Sequence, residues 1–389
     1  MADASVAAAA TPPPAVVAMR REWLNPAVAS FTLRDCDRVF ESRTVPRAGP
    51  VRDLPRAAPL ALPAAEVGGE AVGYGAWAER TFTNAMIVLR GGAVVFEDYR
   101  NRSGPATRFV SFSMAKSITS LLVGKALEEG AIASLDDPAA AYVPELAGGG
   151  YGDVPLRAIL QMRSGVDFDE RYDFGAEPSL AAQIHENAIV HNRWRFADPA
   201  TTIARLAEPG SRFNYATLDT AVLGWVLERA TGTGLADYTA SRLWGPAGME
   251  SDAAWLADGP PGAGRELAGM GFLAGLRDYA RLGQLMLDDS VVDGRRVLAK
   301  GWMAAATAMI DPARPDLERS VTPRGYGFQF WQFDDEPGAF QAVGLAGQMI
   351  YVHPASRTVI VKLSFWPADE PAYVMPETLA YFHRIVRTP

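Results

Sequence analysis

Ser113 and Lys116 are the pair of reactive side chains that stands out most in the sequence. Residues three positions apart share one face of a helix, so the lysine amine can reach the serine hydroxyl. A buried amine in that position can take the hydroxyl proton and make the serine a nucleophile. The pair carries weight because lysine is rare: 33 of the 37 basic residues are arginine, and the lysines are Lys116, Lys125, Lys300 and Lys362. The alternative is an ordinary serine in a first helical turn, followed by a surface lysine.

The element that must position this pair is a helix predicted over residues 113–129. Ile118, Leu121 and Ala126 recur at helical spacing, and Gly130 ends the pattern. The first turn of a helix has free backbone N–H groups and the positive end of the helix dipole, and both stabilise a developing oxyanion. The sequence therefore places a candidate nucleophile and a candidate oxyanion site in the same turn.

Two further segments are candidates for the same site. Tyr215 lies just before an apolar helix predicted over residues 218–229, where its ring is either packed or placed to expose the hydroxyl. In the strand predicted over residues 341–346, Gly344 indicates a bulge or the close approach of another backbone. Neither segment is specific by itself, because packed tyrosines and glycine-rich turns are common.

Several other kinds of site are unsupported. His185 and His191 are six residues apart and lie on different faces of a helix, so no metal site is expected. The sequence has no Gly-x-Ser-x-Gly motif. Its one cysteine, Cys36, excludes an intrachain disulfide and a cysteine-rich metal site. Counting residues does not exclude a Ser-His-Asp triad, but no local pattern indicates one.

Strand patterns lie towards both ends of the chain, with helical patterns between and after them. The strands are predicted at 85–89, 93–99, 325–331, 341–346, 349–352 and 358–364, and further helices at 276–287 and 376–386. This order predicts an α+β fold with one antiparallel sheet flanked by helices and an inserted, mostly helical region. The expected divisions are an Ala/Pro-rich tail and covering segment at 1–75, an α/β catalytic core at 76–130 and 260–389, and the insertion, which carries Tyr215, at 131–259.

The three segments together resemble the serine β-lactamase and DD-peptidase-like superfamily, from about residue 80 to residue 389. Pro-Gly-x-x-Phe-x-Tyr at 209–215 is similar to its tyrosine motif, and Leu-Arg-Asp-Tyr-Ala-Arg-Leu-Gly-Gln-Leu-Met at 276–286 is similar to one of its helices. Tyr-Val-Pro-Glu-Leu-Ala-Gly at 142–148 and the segment at 359–367 most resemble the branch of 6-aminohexanoate-dimer hydrolases and carboxylesterases. The resemblance implies a β-lactamase/transpeptidase-like fold.

The same resemblance implies a role for each catalytic residue. Ser113 would be the nucleophile that is acylated, and Lys116 would accept its proton. Tyr215 would pass a proton to the leaving group. The backbone N–H groups of Ser113 and Leu345 would form the oxyanion hole.

The resemblance also implies contacts with the substrate. Tyr172 and Trp331 fall where aromatic side chains of the hydrolase branch help to bind it, with ordinary packing as the alternative for both. Gly344 would leave room for a substrate lying along its strand.

The sequence departs from the superfamily pattern at three positions. Thr217 stands where asparagine is usual, and Ala342 and Val343 stand where a lysine or histidine is usually followed by threonine or serine. A cation there would bind the carboxylate of a β-lactam or a peptidoglycan stem. The sequence therefore predicts a serine hydrolase of small esters or linear amides. A β-lactamase or DD-peptidase, and a non-catalytic binding protein of the same fold, are the alternatives.

Composition narrows the partners. The 389 residues are 49% hydrophobic, which is typical of a globular chain, and carry a formal net charge of −8. An acidic surface argues against nucleic acid and anionic membranes, and no apolar run is long enough to span a bilayer. We expect a small-molecule ester or amide substrate, no cofactor, no nucleic-acid or membrane partner and a cytoplasmic location, with a homodimer allowed.

Overall fold

Fifteen strands form the sheets of the computed structural model, which describes residues 12–312, 321–333 and 336–389. Numbered in chain order as β1 to β15, they are Ser42–Val45, Ala65–Val67, Glu70–Val72, Thr83–Arg90, Ala93–Tyr99, Arg108–Val110, Ala253–Leu256, Phe272–Gly275, Val291–Val292, Arg295–Arg296, Gly325–Tyr326, Trp331–Gln332, Phe340–Gly344, Gln348–His353 and Thr358–Ser364.

Eleven α-helices lie in the same described residues. As α1 to α11 they are Pro14–Arg21, Ala29–Thr32, Tyr74–Arg80, Met114–Glu128, Leu156–Leu160, Leu180–Ile184, Thr217–Thr231, Leu235–Thr239, Leu276–Leu287, Trp302–Ala306 and Val374–Arg387. Short π-helices, His185–Val190 and Ala240–Trp244, continue α6 and α8. None of these helices has the length and apolar character that crossing a bilayer requires.

The central sheet has seven strands in the order β11-β12-β13-β14-β15-β4-β5, and every neighbouring pair is antiparallel. A second antiparallel sheet has the order β1-β7-β8-β6. The α+β fold class predicted from the sequence, with antiparallel sheets and flanking helices, is therefore confirmed. The second sheet joins β1 of the N-terminal segment to β7 of the predicted insertion, a pairing across more than 200 residues that no local pattern could reveal.

Side-chain alternation divides the central sheet between two hydrophobic cores. Ile87 and Val361 belong to the core that contains α4 and α9, whereas Met86 and Ile360 belong to the core that contains α3 and α11. Successive side chains of a strand point to opposite faces, so helices on both faces bury all of β15 and all of β4 except Arg90. This burial accounts for the β-branched, apolar composition of β15.

The structure differs from the sequence predictions at several boundaries. The strand predicted over residues 325–331 is two short strands, because Gln329 has a left-handed φ of 67° and turns the chain between them. The strand predicted over residues 341–346 ends at Gly344, because Ala346 also has a left-handed φ, of 58°. The covering segment contains the short strands β1, β2 and β3.

Part of the predicted N-terminal tail is helical, since α1 begins at Pro14. Arg20 of α1 is buried, and its guanidinium donates to the carbonyl oxygens of Ile189 and Val190 and to Asn192 Oδ1. This long-range docking fixes a segment whose composition is typical of a loose tail. Residues 1–11 of the predicted tail lie outside the described residues.

Candidate active site

A tight turn between β6 and α4 presents Ser113. Phe112 has a left-handed φ of 42°, which only a constrained turn tolerates in a bulky residue, and Ser113 is the N-cap of α4. The Phe112 ring packs on Trp23, with 5.1 Å between ring centroids, and Trp23 in turn packs on Phe40. The N-terminal segment therefore supports the conformation that places the serine.

Lys116 lies one turn into α4 with its amine against the serine. Its Nζ is 2.9 Å from Ser113 Oγ, 2.9 Å from Thr217 Oγ1 and 2.8 Å from the carbonyl oxygen of Gly269. The residue is only 1% exposed, so of the two alternatives left open for this lysine the surface position is excluded. All three partners are uncharged oxygens.

The Tyr215 ring lies beside the lysine amine, 5.0 Å from Lys116 Nζ to the ring centroid. It stacks on Trp331, with 5.5 Å between centroids and 30° between planes, and meets Tyr326 edge-on. Trp331 is 4% exposed and also packs against Phe213. In this structure Trp331 therefore packs against the Tyr215 ring, as the packing alternative describes. A contact between Trp331 and substrate stays a prediction.

Gly344 brings the end of β13 against the turn that carries Ser113. A Cβ placed on Gly344 would lie 2.1 Å from the carbonyl oxygen of Ser111 and 3.1 Å from the amide nitrogen of Ser113. Such distances leave no room for any side chain at this position. The close backbone approach indicated by the sequence thus occurs, and it puts Leu345 next to Ser113 in space.

Glu170, Thr217 and Tyr172 form a hydrogen-bonded group next to the lysine. The Glu170 carboxylate accepts from the Thr217 amide at 2.6 Å, from Thr217 Oγ1 at 2.7 Å and from the Tyr172 hydroxyl at 2.7 Å. Burial of the Tyr172 hydroxyl and the neighbouring Glu170 carboxylate raise the pKa of Tyr172 well above its ordinary value.

An aromatic rim extends outwards from Tyr172. The edges of the Tyr172 and Phe174 rings meet His185, with centroids 6.2 Å and 5.5 Å apart. Tyr172 is 48% exposed and Phe174 is 57% exposed, while burial lowers the pKa of His185. Leu345 is also an exposed apolar residue, at 41%.

Two residues of the site, Glu170 and Gly269, were not predicted from the sequence. Glu170 is 47 residues from its partner Thr217, and Gly269 is 153 residues from its partner Lys116. No motif surrounds either residue, so only the fold reveals them. A Cβ on Gly269 would lie 2.7 Å from Thr217 Cγ2, a packing requirement that the sequence likewise does not indicate.

The end of β13 carries no cation. Ala342 is buried in the core that contains α4 and α9. Val343 packs, together with Tyr215, in the core that contains α3 and α11. A carboxylate bound beside Ser113 would therefore lack a charged partner from these two positions.

A buried carboxyl group, that of Asp219, lies in the first turn of α7, two residues after Thr217. Asp219 accepts a hydrogen bond of 2.6 Å from the Tyr151 hydroxyl, and burial raises the pKa of Asp219 to about 7. Its second carboxylate oxygen has no hydrogen-bond partner among the described residues. The protonated form is therefore the favoured state of Asp219 in the folded protein below neutral pH.

Asp219→Asn is expected to flatten the pH dependence of stability. In the unfolded chain an ordinary carboxyl has lost its proton above about pH 4, whereas folded Asp219 holds it up to about pH 7. Unfolding thus releases a proton, and the free energy of unfolding falls as the pH rises through this window. In urea titrations, the free energy of unfolding should fall between pH 5.5 and pH 8 by about 2 kcal/mol less in the variant than in the wild type.

Asp237→Asn is the matched control for that measurement, because Asp237 is an exposed helical carboxylate. It should leave the fall in stability between the two pH values as it is in the wild type. An equal fall in the wild type and in Asp219→Asn would contradict the assignment of a buried, protonated Asp219.

Comparisons with known proteins identify the family of the chain. The sequence profile of the Beta-lactamase family matches residues 75–378. A 6-aminohexanoate-dimer hydrolase of Paenarthrobacter ureafaciens is 33% identical over 297 residues, which are 74% of each chain. A solved Bacillus anthracis structure, provisionally named a 6-aminohexanoate-dimer hydrolase, superposes with a TM-score of 0.82 at 24% identity, covering 97% of this chain and 98% of that one.

More distant solved structures share the fold. A family VIII carboxylesterase superposes with a TM-score of 0.59 at 16% identity, over 78% of this chain and 92% of its own. The profile match covers most of the sequence, and the identity to the curated relative extends over three quarters of it. The chain therefore belongs to the β-lactamase family and is a hydrolase with the serine β-lactamase fold.

Proposed function

We propose that the protein hydrolyses small carboxylic esters, linear amides of the 6-aminohexanoate-oligomer kind, or both, through an acyl-enzyme on Ser113. The observation that carries the proposal is the 2.9 Å contact between Lys116 Nζ and Ser113 Oγ at the start of a helix. A serine hydroxyl held against a buried amine is the arrangement that nucleophilic catalysis requires.

Lys116 and Tyr215 would move the protons in this mechanism. The proton of the Ser113 hydroxyl passes to Lys116 Nζ while Ser113 Oγ bonds to the substrate carbonyl carbon. As the tetrahedral intermediate collapses, the bond to the leaving alcohol or amine breaks. Tyr215 gives its hydroxyl proton to that group and receives in return the proton that Lys116 took from Ser113. Water then attacks the acyl ester by the same route, which releases the acid and restores the serine.

The amides of Ser113 and Leu345 would stabilise the oxyanion. The Ser113 amide lies at the N-terminus of α4, and the Leu345 amide directly follows the end of β13. The tight approach of Gly344 to the Ser111–Ser113 backbone supports the pairing of these two donors. Preformed donors of this kind stabilise charge that develops in the transition state.

Substrate class follows from what surrounds the serine. The aromatic rim of Tyr172, Phe174 and His185 offers apolar surface to an acyl chain or a leaving group. Ala342 and Val343 offer no cation for a β-lactam carboxylate, which favours neutral esters and amides. The name of the curated relative, a 6-aminohexanoate-dimer hydrolase, supports linear amides among the substrates.

A β-lactamase or DD-peptidase remains the second candidate function, favoured by the family match itself. A non-catalytic binding protein of this fold is the third, and the Ser113–Lys116 contact argues against it. The cytoplasmic location and the homodimer stay predictions; light scattering on purified protein tests the homodimer.

A substrate panel on one preparation decides between these functions. We expect turnover of short p-nitrophenyl esters, of 6-aminohexanoate dimer, or of both, and slow or absent turnover of nitrocefin. Mass spectrometry of the quenched enzyme should locate the acyl group on Ser113. Rapid nitrocefin hydrolysis would favour a penicillin-recognising enzyme, and no reaction of Ser113 with a fluorophosphonate probe would favour the binding protein.

Gly344→Ala is expected to lower kcat/KM for a p-nitrophenyl ester by about 100-fold, because the new Cβ would push β13 away from Ser113 and separate the two amide donors. Ester kinetics, with a thermal melt to verify folding, measure the effect. Gly104→Ala is the matched control, since a Cβ there would meet nothing within 4 Å. Activity of Gly344→Ala within about twofold of the wild type would remove this strand end from the oxyanion hole.

A further inference from the structure

The hydroxyl of Thr217 has a fixed direction in this structure. Glu170 accepts from both the amide and the Oγ1 of Thr217, at 2.6 Å and 2.7 Å. An ionised carboxylate can only accept hydrogen bonds, and a threonine hydroxyl has one proton to give. That proton therefore points to Glu170, and the hydroxyl can only accept on its other side.

Lys116 lies on that other side, 2.9 Å from Thr217 Oγ1. The carbonyl oxygen of Gly269, 2.8 Å from the same amine, is also an acceptor only. A neutral amine has two N–H bonds and one lone pair. With both N–H bonds directed at Thr217 and Gly269, the lone pair is left for the third partner, Ser113 Oγ, at 2.9 Å.

We infer that Glu170 is a positioning residue for catalysis, acting through Thr217 to keep the Lys116 lone pair on Ser113. The inference rests on the proposed function, in which Lys116 takes the serine proton. It concerns the hydroxyl direction alone: Glu170 neither gains nor loses a proton, and it has no contact with the reacting serine. It also accounts for Thr217 at the position where the superfamily usually has an asparagine, whose amide oxygen accepts without help.

Glu170→Gln reverses the direction of this hydrogen bond. The Thr217 amide is a fixed donor, so the glutamine oxygen must face it, and the glutamine NH₂ group then faces Thr217 Oγ1. The Thr217 hydroxyl can then donate only to Lys116, and this hydrogen bond occupies the lone pair of Lys116 Nζ. We expect kcat/KM for p-nitrophenyl acetate to fall at least about tenfold.

The pH profile separates this effect from a loss of structure. With the carboxylate charge gone and the hydroxyl donating to the amine, protonated Lys116 is less stable, so the acid limb of kcat/KM should move to lower pH in Glu170→Gln. Glu177→Gln is the matched control, because it makes the same substitution at an exposed glutamate in the segment that follows Glu170. Its acid limb should stay at the wild-type position.

Rescue and non-additivity complete the test. Adding Thr217→Asn to Glu170→Gln should restore kcat/KM to within about threefold of the wild type, because the asparagine oxygen accepts from Lys116. Thr217→Val should lose at least about tenfold, and adding Glu170→Gln to it should cost nothing more, since Glu170 acts through the missing hydroxyl.

Three outcomes overturn the inference: Glu170→Gln within twofold of the wild type with an unmoved acid limb, additive losses in the double variant with Thr217→Val, or no rescue by Thr217→Asn. If Glu170→Gln does not fold, Thr217→Ser and Thr217→Val decide, because only serine keeps the hydroxyl, and equal activities overturn the inference. A wild type that neither turns over ester nor labels at Ser113 rejects the proposed function itself, a result distinct from any of these.

Discussion

Ser113→Ala is expected to lower kcat/KM for p-nitrophenyl esters by about 10⁴-fold or more, with no acyl group trapped at any other residue. The substitution removes the atom that bonds to the substrate and keeps the Cβ, so the N-cap turn of α4 and the Phe112 conformation before it have no reason to change. The residual rate would come from oxyanion stabilisation of attack by water.

Ser120→Ala is the matched control for this experiment. Ser120 lies two turns further along the same helix, is buried, and its hydroxyl has no hydrogen-bond partner among the described residues. Removing that hydroxyl should leave activity within about twofold of the wild type, since no hydrogen bond is lost. Ester turnover by Ser113→Ala above about one hundredth of the wild-type rate would reject the acyl-enzyme mechanism.

Lys116→Met is the second large effect, an expected loss of about 10³-fold in the rate at which an ester or a fluorophosphonate modifies Ser113. Methionine has a similar length and no proton acceptor of comparable strength, so it fills the space without serving as a base. The carbonyl oxygen of Gly269 loses its lysine donor, which should also cost about 1–3 kcal/mol of stability. Stopped-flow acylation and a thermal melt measure the two effects separately.

The chain offers a second buried lysine as the control. Lys362 is fully buried, donates to the Thr81 carbonyl oxygen and to Ser364 Oγ, and lies near the Trp77 and Trp366 rings. Burial lowers the pKa of Lys362 well below its ordinary value, as for an amine that is costly to charge. Folded Lys362→Met should be acylated at Ser113 at a rate within about threefold of the wild type. A loss as large as that of Lys116→Met would mean that the effect of Lys116→Met is structural and does not identify Lys116 as the base.

The sequence predicted those helices and strands whose residues show the periodicity of the element. The helix after Ser113, the hairpin β4–β5 and the strand β15 have apolar residues at the spacing of their own element, so their residues indicate them without knowledge of the fold. The break at Gln329 could not be predicted this way. Its left-handed conformation is held by hydrogen bonds from Ser117 and Thr220 and to the Leu160 carbonyl, all more than 100 residues away.

The candidate site shows the same division. Ser113 and Lys116 are neighbours on one helix, so their spacing indicates their contact, and the resemblance to a family located Tyr215 and Gly344. Glu170 belongs to no motif and reaches the lysine only through a threonine 47 residues away. A carboxylate at such a distance in sequence is indistinguishable from a surface charge until the chain is folded.

Two of the four lysines are buried, so a reagent that modifies amines should react at few side chains of this protein. With Lys116 and Lys362 inaccessible, Lys300 is exposed and Lys125 is partly covered by ion pairs with Glu128 and Glu129. Lys125 lies nine residues beyond Lys116, about 14 Å along α4. A label or a solid support coupled through lysine, the α-amino group aside, would therefore attach at two defined places and leave Lys116 unmodified.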